Sequence, residues 1–284
     1  MKLRLILISS LALLFFSCSK DTPLYQPTAK TDPYETYKEG MKAFNENQFF
    51  FASKKFAKAE INFSLPSAAG KSAIMKAFSL YAINFYQESE ENLNRYLKTY
   101  PLHEYRIYAN YLLAIISFEQ INDEKHDLKP LLEAQKKIDF FLENYPNNEY
   151  ATDLRLKKNL VINQFAAKEL YTAKYYIKVQ KWVPAINRLK IIVKDYNSTV
   201  FIEEALHRLV EIYYHIGLEE EAKKYASILG YNYNSSEWYK QSYQLLNKDY
   251  KSYMIDKKNE KKDKEFLKKI IDLIKQNKWM KKKK

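Results

Sequence analysis

The chain has 284 residues, 46% of them apolar, and a formal charge of +13. Its four glycines (Gly40, Gly70, Gly217 and Gly230) lie too far apart for a P-loop or a dinucleotide-binding turn. The single cysteine, Cys18, excludes an intrachain disulfide framework and a Cys-rich zinc site, and His103, His126, His207 and His215 form no local metal pair. No cofactor or metal is expected. The charge is uneven: residues 257–284 carry 13 Lys against 4 acids, a net +9, and Lys2 and Arg4 add +2, which leaves only +2 for the rest. A nearly neutral body is a poor nucleic-acid binder, so no nucleic-acid partner is expected.

In chain order, residues 1–17 read as an export signal. Lys2 and Arg4 form a basic start, and Leu3, Leu5 to Ile8 and Leu11 to Phe16 form an apolar stretch too short to span a bilayer comfortably. The stretch ends in Leu-Phe-Phe-Ser-Cys, which looks like a bacterial lipobox with Cys18 as the lipidated residue. Ser19 follows rather than Asp, which resembles outer-membrane sorting. The acyl chains would hold the body at the membrane, in the periplasm. Residues 18–33, with Pro23, Pro27 and Pro33, read as a tether.

Residues 34–253 read as an all-α, tetratricopeptide-like helical solenoid of about five degenerate helix pairs. Such pairs need a small residue where their helices cross and bulky apolar residues on the following turns. Ala52, Phe56 and Ala59 fit, with Gly40 opposite on the first helix. Ser89, Leu93 and Tyr96 repeat the pattern, then Ala134, Ile138 and Phe141, then Ala185, Leu189 and Ile192, then Ala222, Ala226 and Leu229. The anchors 52, 89, 134, 185 and 222 are spaced by 37, 45, 51 and 37 residues, so two units carry insertions or longer helices, with Asn122 to Pro130 the clearest loop. Tyr100-Pro101 and Tyr145-Pro146 mark helix ends, because Pro cannot continue the hydrogen-bond ladder. Stacked pairs would share a continuous core and a concave face, with Ala52, Ala134, Ala185 and Ala222 buried at the crossings.

Residues 254–284 form a basic tail. Phe266, Leu267, Ile270, Ile271, Ile274 and Met280 recur at helical spacing among Lys and Gln. This amphipathic segment either caps the last repeat or lies on anionic lipid or an acidic partner.

Three segments carry a family resemblance: Tyr100-Pro-Leu-His-Glu-Tyr-Arg-Ile-Tyr-Ala-Asn-Tyr111, Trp182-Val-Pro-Ala-Ile-Asn-Arg188 running on to Lys194-Asp-Tyr196, and Glu203-Glu-Ala-Leu206 with Tyr213 and Gly217. Their order, after the signal, resembles the BamD (ComL) family of outer-membrane assembly lipoproteins over about residues 18–240. The departures are Asn197 and Asn234, where that family tends to have Pro, and the Lys-rich extension. The resemblance implies a non-enzymatic scaffold. Its C-terminal repeats would bind the periplasmic domains of the outer-membrane barrel insertase, beside other assembly lipoproteins. Its N-terminal repeats would receive unfolded outer-membrane proteins, whose C-terminal strands are rich in aromatic residues.

With that resemblance in view, Tyr37, Phe44, Tyr81, Tyr86, Tyr105 and Tyr108 are candidates for lining a groove for such peptides; the alternative is ordinary interhelix packing. Arg188, Lys194 and Asp195 are candidates for the partner face, against a solvated face or a salt bridge to a neighbouring helix. His207 and His215 are too far apart to share one ion. Glu203-Glu204 and Glu219-Glu220-Glu221 fit helix starts, where carboxylates meet the helix dipole. Two other readings stand beside this one: a periplasmic TPR adaptor in envelope division or peptidoglycan synthesis, and a helical glycan-cleaving enzyme with a lone acid such as Glu149. No activating partner for such an acid is visible in the sequence.

Overall fold

In a computed structural model of the chain, the described residues are 32–247 together with Glu265 and Lys268. The signal, Cys18, almost all of the tether and nearly all of the basic tail lie outside them. The described residues contain eleven helices and no strand. They are α1 (Pro33–Asn45), α2 (Phe49–Asn62), α3 (Pro66–Ala82), α4 (Tyr86–Thr99), α5 (Arg106–Glu119), α6 (Lys129–Asn144), α7 (Tyr150–Lys178), α8 (Trp182–Asp195), α9 (Ile202–His215), α10 (Glu219–Asn232) and α11 (Glu237–Leu246). They form two compact units, one up to Arg106 and one from Ile107.

The architecture is a TPR-like succession of helix pairs. In the first unit α1 packs on α2, α2 on α3 and α3 on α4; in the second α6 packs on α7, α7 on α8, α8 on α9, α9 on α10, and α11 lies against both α9 and α10. All five crossing residues are fully buried: Ala52, Ser89, Ala134, Ala185 and Ala222 are 0% exposed, and so are Phe56, Leu93, Ile138 and Leu189 one turn on. Gly40 shows why a small residue is needed, since a Cβ there would lie 2.9 Å from the Phe56 ring. Ser89 can replace Ala because its hydroxyl donates to the Ala77 carbonyl at 2.7 Å, which leaves no buried polar atom unpaired.

One device recurs at four of the five intrapair turns. Asn47, Asn84, Gln180 and Gly217 adopt positive φ (58°, 61°, 57° and 80°), each five residues before its crossing residue. The next amide reaches back five residues, as in Gln48 N–H to Ala43 O at 2.8 Å and Leu218 N–H to Tyr213 O at 2.8 Å. This is a Schellman stop: a left-handed residue ends one helix and turns the chain straight into the next. The third pair instead has the expected inserted loop. That loop ends before Pro130, which lies in the first turn of α6, where a missing N–H costs little. The wide spacing before Ala185 comes from α7, a single helix of 29 residues.

Candidate functional site

In the first unit, four of the six candidate rings join one aromatic row. Tyr37 lies 5.3 Å from Phe56 and 6.4 Å from Phe63, between ring centroids. Phe44 lies 6.5 Å from Phe56, 5.3 Å from Phe49 and 5.6 Å from Phe78. The row continues from Phe78 to Tyr81 at 5.9 Å and from Tyr81 to Tyr86 at 6.1 Å. Phe56 is fully buried and forms the root; Tyr37, Phe44, Phe78, Tyr81 and Tyr86 are half-buried, each with part of its ring accessible. Tilted and edge-to-face rings at these distances hold one another in place and present a rigid, partly apolar surface. Burial raises the Tyr37 phenol above its ordinary range and the neighbouring Tyr105 adds to the rise, so it stays a neutral donor.

Tyr105 belongs to a different cluster. It tilts against His103 at 5.5 Å, whose ring meets Tyr96 at 5.6 Å. His103 clamps the α4–α5 turn to α3: Nε2 pairs with the Ser67 carbonyl at 2.8 Å and Nδ1 with the Tyr96 hydroxyl at 2.9 Å. Beside it, Arg95 binds both oxygens of Glu60 at 2.7 and 2.8 Å, and the Tyr100 hydroxyl donates to the same carboxylate at 3.2 Å. Tyr108 lies in the second unit and packs on Tyr111 at 6.1 Å and Tyr150 at 5.8 Å. The six candidates therefore occupy three places rather than one stripe.

The sequence reading missed Phe56 and Phe78 as the rings that join the row, although their spacing from Ala52 and Tyr81 was available. It also missed a groove of about 490 Å³ between α2 and α4, with Phe50 and Phe85 partly exposed on it and Lys54, Lys76 and Arg95 set against Glu88 and Glu91. Burial, with Arg95 adding to it, pulls the Lys76 amine below the ordinary lysine range.

In the second unit, Arg188 is engaged within the chain. Its Nη1 donates to both Glu169 oxygens, at 3.2 and 3.1 Å, which joins α8 to α7. Lys194 and Asp195 at the end of α8 are exposed. Sequence spacing did not suggest a larger charge ladder in the same unit. Lys174 pairs with Glu204 at 2.8 Å, Arg208 with Glu204 at 3.3 Å and with Glu211 at 2.6 Å. The guanidinium also lies 5.5 Å from the centre of the Trp238 ring. Buried His207 bridges the ladder to α11, with Nε2 3.3 Å from Glu211 and Nδ1 2.8 Å from the Ser242 hydroxyl. Burial alone would raise the Glu211 carboxyl, but hydrogen bonds from His207 and Arg208 outweigh it and hold the pKa at about 2.

Glu203-Glu204 and Glu219-Glu220-Glu221 do fall in the first turns of α9 and α10. Among the described residues, no group of three or more His, Cys, Asp or Glu could hold a metal ion, and no helix is long and apolar enough to cross a membrane.

Comparison with known proteins matches this arrangement to one family. The family model YfiO, described as an outer membrane lipoprotein, matches residues 29–229. The outer membrane protein assembly factor BamD of Rickettsia prowazekii (strain Madrid E) is 33% identical over 210 residues, which cover 74% of this chain and 84% of that one. The protein of the same name from Caulobacter vibrioides is 40% identical over 177 residues, covering 62% of this chain and 58% of that one. A solved TPR protein of Thermus thermophilus is 15% identical and covers 75% of this chain and 98% of that one, with a TM-score of 0.34. With the model matched across both units and a relative one-third identical over most of both lengths, the chain belongs to the BamD family of outer-membrane protein assembly factors.

Proposed function

We propose that the chain is a non-enzymatic, lipid-anchored scaffold of outer-membrane β-barrel protein assembly, held at the periplasmic face of the outer membrane. Family membership supports the assembly role, and the observation that carries the finer reading is the aromatic row of the first unit. Eight linked rings, seven of them partly exposed, suit the capture of an extended segment rich in aromatic side chains, because rigid rings give contact area at low entropic cost. The first unit receives unfolded outer-membrane proteins by this surface. The second unit meets the periplasmic domains of the barrel insertase, with Lys194 and Asp195 exposed at the end of α8, and other assembly lipoproteins join the same complex.

A peptide-binding titration tests the first half. An aromatic-rich C-terminal segment of an outer-membrane protein should bind the full chain, and Tyr81→Ala with Tyr86→Ala should weaken it about tenfold or more while the melting temperature changes little. Unchanged affinity would remove the row from the binding surface. For the second half, Arg188→Glu alone is ambiguous, since it sets two acids side by side on α7 and α8. The swap Arg188→Glu with Glu169→Arg restores the ion pair, so loss of insertase binding in the swapped chain would report on the interface, and retained binding would make Arg188 a packing residue. The anchor is tested by Cys18→Ser, which should give an exported chain without acyl label that is partly soluble; retained labelling would refute lipidation at Cys18.

A further inference from the structure

The last helix pair is left partly uncovered. In the second unit α8 is followed by α9, a helix of equal length, but α10 is followed only by α11, which has 10 residues to the 14 of α10. The two come close at one point, where a Cβ on Gly230 would lie 2.7 Å from the Tyr239 ring. Alongside that crossing runs a groove of about 960 Å³, walled by Tyr214 of α9, Glu219, Ala226 and Tyr231 of α10, and Tyr239 and Leu246 of α11. Its wall carries apolar surface in the open: Tyr231 is 89% exposed. Of the three carboxylates in the first turn of α10, Glu219 lines the groove, one turn before Lys223, which lines it too. Glu220 and Glu221 pair with Lys223 and Lys224, while Glu219 makes no ion pair among the described residues.

We propose that this groove is the seat of the chain's own basic tail, with residues 264–280 docking as an amphipathic helix that covers α10. Four observations point to this occupant. Asn247 itself lines the groove, so the chain passes into residues 248–284 from inside it. In helical spacing Phe266, Ile270 and Ile274 fall in line, Leu267 and Ile271 flank them on one side and Leu273 on the other, which makes one broad apolar arc. Glu265 and Lys268, which are helical and exposed, both belong to the opposite arc. The net +9 of residues 257–284 complements Glu219, the carboxylate that lines the groove and makes no ion pair among the described residues.

Reach is no obstacle. The 18 residues between Asn247 and Phe266 extend farther than the roughly 21 Å length of a 14-residue helix. A repeat array needs an end piece with a polar outer face, and a helix with apolar residues inward and lysines outward has that form.

The test uses the full-length chain with Cys18→Ser. Tyr231→Cys combined with Ile270→Cys should form an intramolecular disulfide under mild oxidation, and Tyr231→Cys with Lys268→Cys should form it at least tenfold more slowly. Crosslinks between two chains, equal rates for both pairs, or no crosslink at all would overturn the docking. Separately, Ile270→Asp with Ile274→Asp should lower the melting temperature by about 4 °C or more. The same pair should leave binding to vesicles of anionic phospholipid unchanged. An unchanged melting temperature with loss of vesicle binding would instead make the tail a membrane-surface helix and refute the proposal.

Discussion

In the first unit the helices meet across rings. Phe56 lies under Tyr37 and Phe44, Phe78 carries the contact on to Tyr81, and the row ends with Tyr86, still half in solvent. In the second unit the crossings are mainly aliphatic, with Leu189, Ile192, Leu206, Leu209, Val210 and Leu229, although Phe141 and the stacked Tyr213–Tyr225 pair are buried there too. There the partly exposed rim is ionic, from Lys174 through Glu204 and Arg208 to Glu211. One helix-pair plan thus supports two different surfaces. The crossing residues must be small in both units, so the backbone geometry is common, and the bulky residues one turn on are free to be aromatic or aliphatic. The difference teaches that the repeat pattern determines the scaffold, and that binding character lies in what surrounds it.

The largest expected effect tests whether the first unit depends on its rings. Phe56→Ala should cost about 3–5 kcal/mol, since it removes a fully buried ring from beneath two others. Phe56→Leu should cost much less and still reduce aromatic-peptide binding, as measured by urea unfolding alongside the titration. Equal binding by Phe56→Leu and the natural chain would show that any apolar root serves. Next comes Glu60→Gln, which leaves Arg95 without its anion and weakens the Tyr100 contact; a loss of about 1–3 kcal/mol is expected in the same unfolding assay.

The turns allow a finer comparison within the second unit. Gly217 has nothing within 4 Å of a built Cβ, so Gly217→Ala should cost about 1 kcal/mol through the left-handed backbone alone. Gln180 holds the same position without that freedom, and Gln180→Gly should gain roughly 0.5 kcal/mol once the entropy of glycine is set against the relieved strain. Opposite signs in thermal melts support the shared turn, and like signs would break it.

The smallest effect is a pH dependence confined to the second unit. Glu211 titrates at about 2 in the folded chain and near 4.5 when unfolded. Its stabilisation is therefore complete above about pH 4.5 and fades as the pH falls toward 2. The carboxylate side chain is 39% exposed, so solvent weakens the effect. Glu211→Gln should flatten the acid limb of a stability–pH curve slightly, and an unchanged limb would remove the ladder from the account of this unit.

Much of the scaffold was legible in the sequence because it depends on local constraints. A helix crossing tolerates only Ala, Ser or Gly, and a Tyr-Pro pair stops a helix, so the five anchors and several ends could be read directly. The four left-handed turns were equally local, five residues before each anchor, but only one of the four is Gly, which hides the rule. The site was less legible because its contacts join distant positions. The Glu60–Arg95 pair spans 35 residues, His207–Ser242 spans 35, and Arg188–Glu169 crosses between two helices. Tyr105 was separated from the row by His103, whose fixed ring draws it to another cluster, and Tyr108 lies in the other unit. Helix α11 went unread because its 10 residues include only one that is buried, Ser242.

The central claim is a division of labour between the units, and site-specific photocrosslinking in native membranes tests it most directly. A crosslinker at Tyr86 should capture unfolded outer-membrane proteins, and one at Lys194 should capture the periplasmic part of the barrel insertase. If both positions captured the same partner, or if the two partners were exchanged, the assignment of the aromatic row to substrates and of the charged unit to the insertase would be contradicted.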